Sequence, residues 1–150
     1  MLGTLWRGAA AGVTATTLMT GVLKTARRVG LLDELPPRTV AKAALDAMGV
    51  GDAGEPTETV ATGVAHYGYG AAMGALFAAI VHKVPIPGPT WLKGAVFGVL
   101  VWVFSYMGWV PAAKILPRPS KDRPGRPFVM VLAHLVYGGI LGASLERKEA

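Results

Sequence analysis

The chain reads as an all-α integral membrane protein, with four transmembrane helices forming two tandem hairpins and a short interfacial amphipathic helix in the first loop. Three observations point there. Of its 150 residues 52% are hydrophobic and the mean hydropathy is +0.44, too apolar for an ordinary water-soluble domain. Four stretches, 8–23, 59–82, 94–113 and 127–145, contain no Asp, Glu, Lys or Arg. About 20 such residues, rising about 1.5 Å each, cross about 30 Å of hydrocarbon. The third observation is repetition. Ala65-His66-x-x-Tyr69-Gly70-x-x-x-Gly74-Ala75 returns as Ala133-His134-x-x-Tyr137-Gly138-x-x-x-Gly142-Ala143, and Arg7-Gly8-Ala9-x-x-Gly12-Val13 returns as Lys93-Gly94-Ala95-x-x-Gly98-Val99.

The first apolar stretch is slightly short, but Leu2, Leu5 and Trp6 extend it, and Arg7 and Lys24 can bury their stems while their charges stay among headgroups. It is expected to remain in the mature protein, because no Ala-x-Ala cleavage site follows it and its Arg7-Gly8 start is echoed internally. Leu35-Pro36-Pro37 then breaks the chain, and 38–50 reads as an amphipathic helix on the membrane surface, with Val40, Ala44, Leu45 and Met48 on one side. Gly49, Gly51, Gly54 and Pro56 end it in a flexible acidic link holding Asp52, Glu55 and Glu58. The second and third spans are joined by a tight Pro-rich turn over 83–90. The third span carries Trp91 and Trp109 near its ends, as interfacial anchors do. The third loop, 111–127, interleaves prolines with Lys114, Arg118, Lys121, Arg123 and Arg126, so it is expected to run extended over anionic lipid before the last span. The whole is one domain, 1–150, with hairpin repeats at 1–82 and 91–150 related by a pseudo-two-fold along the membrane normal. Short connections favour up-and-down order.

The net charge of +6 sorts by loop. The first and third loops hold Lys24, Arg27, Arg28, Arg38, Lys42 and the five cations just named, whereas the other face holds Arg7, Lys83, Lys93, Arg147 and Lys148. This bias places those two loops in the cytoplasm and both termini outside. Anionic lipid headgroups are therefore the expected partner. Nucleic acid is not, since the basic loops lack interleaved aromatics.

Each span carries one Gly-x-x-x-Gly: Gly8/Gly12, Gly70/Gly74, Gly94/Gly98 and Gly138/Gly142. With alternating direction all four fall in one leaflet, where small residues let backbones pack closely, within the monomer or along a homo-oligomer or larger membrane complex. His66, Gly70 and Gly74 share a helix face, as do His134, Gly138 and Gly142, so both imidazoles point into the bundle from its diagonal helices. Tyr69, Tyr137, Thr16 and Thr20 complete a polar core, with Thr14, Thr16, Thr17 and Thr20 as expected hydrogen-bond partners of the histidines.

Three roles fit that pair of histidines. They can fix the packing of a small non-enzymatic membrane protein with a packing, stress-related or accessory role. They can hold a b-type haem as opposed axial ligands in an electron-transfer module. They can also titrate along a path for protons or small solutes. With no Cys, no thiolate catalysis and no Cys-bearing metal site exists. His82 lies too far from His66 along the helix to build a zinc site with it. Ser105 and Ser144 have no recognisable nucleophile partners, and no catalytic residue is assigned. The 8–20 segment, the Ala-His-x-x-Tyr-Gly segments and the run from Gly108-Trp109-Val110-Pro111 to Arg126 together resemble the YagU-like family of small bacterial inner-membrane proteins. The resemblance implies a multi-pass protein of the bacterial inner membrane, of unassigned molecular function, with a suggested link to acid tolerance and no catalytic residues to transfer.

Overall fold

The fold is taken from a computed structural model, which describes residues 1–51, 54–81, 83 and 87–146. Asp52, His82, Arg147, Lys148 and the centre of the Pro-rich turn lie outside them. Among the described residues the chain is all-helical, without strands: α1 (Leu2–Arg28), α2 (Pro36–Ala47), α3 (Gly54–Ile80), α4 (Thr90–Ala112) and α5 (Arg126–Ser144).

Two of these, α4 and α5, are long and apolar enough to cross a membrane, not the four expected. Both α1 and α3 have the length, at 27 residues each, but Gly, Ala and Thr, and in α3 His66, Tyr67 and Tyr69, dilute their hydropathy. Some of the residues that lower it, Gly8, Gly12, Thr16, Gly70 and Gly74, are buried where the helices pack.

On α1 the buried face is Gly8, Ala11, Gly12, Ala15, Thr16, Met19, Leu23 and Ala26, a stripe at helical spacing. It meets α3 along one side and α5 along another. α4 packs along α5, and a Phe77–Phe97 ring contact, with centroids 5.1 Å apart, joins α3 to α4. The apolar surface turned away from these contacts is large, with Trp6, Val64, Leu100, Phe104 and Phe128 exposed.

The two intimate crossings are made by glycine. A Cβ on Gly12 would overlap the Gly70 carbonyl, and one on Gly74 would overlap the Gly8 carbonyl. In the other pair, Gly94 abuts the Gly138 carbonyl, Gly98 the His134 carbonyl and Gly142 the Thr90 carbonyl. These contacts are backbone against backbone, so no side chain fits there, and the numbering makes both pairs antiparallel.

Three loop expectations are corrected. The buried side of α2 is Pro36, Ala41 and Leu45, while Ala44 and Met48 are exposed, because α2 lies against α3 rather than free on a surface. Glu55 and Glu58 belong to the first turns of α3, not to a flexible link. Arg38 bridges Glu58 at 3.0 Å and Glu55 at 3.4 Å, and Lys42 reaches Glu58 at 3.7 Å, which fastens α2 to α3. The third loop is not extended throughout. Lys114 takes a left-handed turn (φ 59), Pro119–Lys121 forms a 3-10 turn, and Arg123 pairs with Asp33 of the first loop. The hydrogen bond from Arg123 holds the Asp33 carboxyl below its ordinary range.

Candidate functional site

Beyond the glycine crossings the side chains grow, and the helices stand apart. A cavity of about 270 Å³ opens there, walled by all five helices. α1 contributes Thr16, Met19 and Leu23, one turn and more past Gly12. α3 contributes His66, Tyr69 and Met73, and α5 contributes Met130, His134 and Tyr137. Pro36, Pro37 and Val40 of α2 line the wall as well, so the helix expected at the lipid surface also walls the hollow.

The wall from α4 was not foreseen. Between Val103 and Trp109 the helix widens to π geometry, and Gly108 leaves helical angles (φ −102, ψ −105). Pro111 supplies the cause: it has no N–H to give the carbonyl of Met107, and its ring crowds that carbonyl, so the preceding turn must open. Ser105, Tyr106, Trp109 and Val110 all line the cavity from this stretch. Gly108 followed three residues later by Pro111 was the available signal.

Asp122 was equally unforeseen. Its carboxylate side chain is 2% exposed, accepts the Tyr106 hydroxyl and the Arg123 amide (2.7 Å), and pairs with Arg126 at 3.0 Å. A buried carboxylate survives only when paired and hydrogen-bonded in this way. The third loop thereby ties itself to the cavity wall through Tyr106.

The two histidines do share the cavity, but their settings differ. His134 is 7% exposed, and its Nδ1 lies 2.7 Å from the Met130 carbonyl. A carbonyl only accepts, so Nδ1 is the protonated nitrogen, and in the neutral ring Nε2 carries a lone pair. His66 is half-buried, and its Nε2 is shut away from solvent without a partner among the described residues. The expected threonine partners do not reach either ring. Thr14, Thr16, Thr17 and Thr20 all donate to carbonyls one turn back on α1, at 2.8 to 3.2 Å, with Thr16 and Thr20 the shortest at 2.8 Å each. A hydroxyl in a helix finds its own backbone first.

The tyrosines part company too. Tyr137 is buried and donates to the Gly70 carbonyl at 2.7 Å, crossing from α5 to α3, whereas Tyr69 is 36% exposed at the cavity edge. Gly70 is therefore used twice, as a contact for Gly12 and as an acceptor for Tyr137. Among the described residues no group of three or more His, Asp or Glu is placed to hold a metal ion. The imidazoles are the site's only nitrogen ligands of that kind.

A model of a protein family of unknown function, DUF6789, matches residues 2–150. The chain belongs to that family. It is this family, rather than the YagU-like one, that the comparison returns, and it carries no assigned activity. No match is found among curated proteins or among solved structures.

Proposed function

We propose that this DUF6789 member is a non-enzymatic, multi-pass membrane protein in which α1, α3, α4 and α5 all span the bilayer as two tandem hairpins, and that its core cavity binds a small, largely apolar molecule. The carrying observation is the cavity itself, walled by all five helices and largely apolar, with Met, Leu, Val and Pro among its lining and polar groups contributed from α1, α3, α4 and α5. Concave, mostly apolar sites with sparse, fixed polar groups are the usual form of small-molecule pockets. Support for the four spans comes from the outward Trp6, Val64, Leu100, Phe104 and Phe128, and from repeated glycine crossings that stand in for a hydrophobic drive between helices. The basic loops 24–42 and 114–126 then rest on anionic headgroups on the cytoplasmic side, with both termini outside.

The test is saturable binding of 4-fluorotoluene to the protein in lipid nanodiscs, read by fluorine NMR against empty discs. Met73→Trp, which fills the cavity from α3, is expected to abolish it. Binding indistinguishable from empty discs would end the ligand reading. A Soret band in the purified protein that disappears in His66→Ala or His134→Ala would replace it with a haem carrier, and a pH-dependent flux in proteoliposomes lost in the same variants would replace it with conduction.

A further inference from the structure

We infer that the ligand of this cavity carries a hydroxyl group, as a small alcohol or phenol does, held between His66 and His134; the inference rests on the binding reading above. His134 spends its Nδ1 proton on the Met130 carbonyl at 2.7 Å, which leaves Nε2 of the neutral ring as an acceptor that needs a donor. His66 Nε2 is buried with no partner among the described residues, and an unmet polar nitrogen in an apolar setting is costly. Both rings line the same cavity. Four of the other hydroxyls on the wall are already committed, Thr16 to Gly12, Ser105 to Val101, Tyr106 to Asp122 and Tyr137 to Gly70, and the fifth, Tyr69, stands 36% exposed at the cavity edge.

A ligand that satisfies both rings must donate to His134, and must also accept from His66 or donate to it. A ketone or an ether has no proton to give His134. An ammonium group has protons, but it brings a charge into a wall that is mostly hydrocarbon. A hydroxyl donates once, accepts twice and stays neutral. Size agrees with a single ring or short chain bearing it, since a cavity of about 150 Å³ holds benzene and this one is about 270 Å³.

Three probes of nearly one shape separate the possibilities: 4-fluorophenol donates and accepts, 4-fluoroanisole only accepts, and 4-fluorotoluene does neither. Titrated into the protein in nanodiscs and followed by fluorine NMR against empty discs, 4-fluorophenol is expected to bind at least about tenfold more tightly than the other two. His134→Leu is expected to bring the three affinities together while 4-fluorotoluene still binds. Equal affinities in the native protein overturn the hydroxyl grip and leave the cavity a binding site for apolar molecules. Failure of all three to bind overturns the cavity reading as well. Should His134→Leu fail to fold, the ranking in the native protein decides alone.

Discussion

The two ends of the helix pairs are built on opposite rules. At the glycine crossings, Gly12 lies on Gly70 and Gly94 on Gly138 with backbone against backbone, and nothing separates the helices. One to two turns further along, Met19, Met130 and the two histidines hold the same helices apart around a hollow. Close approach at one end and spacing at the other follow from residue size alone. The tight end makes the fold, and the open end is left free to hold something.

That contrast can be broken most severely at the tight end. Gly138→Ala forces a methyl into the Gly94 carbonyl and is expected to cost about 1–3 kcal/mol of stability, since overpacking cannot be relieved where the obstacle is backbone. The adjacent Gly139→Ala, with nothing within 4 Å of its Cβ, is expected to be neutral or slightly stabilising. Unfolding in mixed micelles measures both, and equal effects would show that the crossing is not where it is placed.

At the open end the effects fall on single hydrogen-bonded groups and range from comparable to nearly nil. Asp122→Ala leaves the Tyr106 hydroxyl and the Arg126 guanidinium without their shared partner and is expected to cost about 1–3 kcal/mol, with faster protease cleavage in the third loop. Tyr137→Phe removes the hydrogen bond to Gly70, worth about 0.6 to 1 kcal/mol between helices in a membrane. Tyr69→Phe is expected to be nearly silent, because Tyr69 stands at the rim. A double-mutant comparison of the two tyrosines would sharpen the point, since the sequence presents them as equivalents.

What the sequence disclosed divides along the same line. Glycine spacing on a helix maps directly onto contact, so Gly8, Gly12, Gly70, Gly74, Gly94, Gly98, Gly138 and Gly142 could be placed from numbering alone. His66 and His134 could be assigned to the interior by the same rule. Their partners could not. The threonine hydroxyls turned back to α1, the neighbour of His134 is its own helix carbonyl, and Tyr69 and Tyr137 diverged because only one reaches across to Gly70. Such choices depend on which helix lies opposite, which spacing within one helix does not encode. Asp122 escaped for a related reason. A loop carboxylate acquires meaning only when the loop folds back onto Tyr106. The widened turn of α4 did leave a trace, in Gly108 and Pro111, because proline acts on its own helix.

All of this presumes that the hollow lies within the bilayer, which requires α1 and α3 to cross it together with α4 and α5. The absence of native cysteine allows a direct measurement by single-cysteine labelling with a membrane-impermeant reagent. Cysteines at Gly3 and Lys83 should label from one side of the membrane, and cysteines at Val29 and Ser120 from the other. Labelling of Gly3→Cys and Val29→Cys from the same side would mean that α1 does not cross, and would contradict the four-span arrangement.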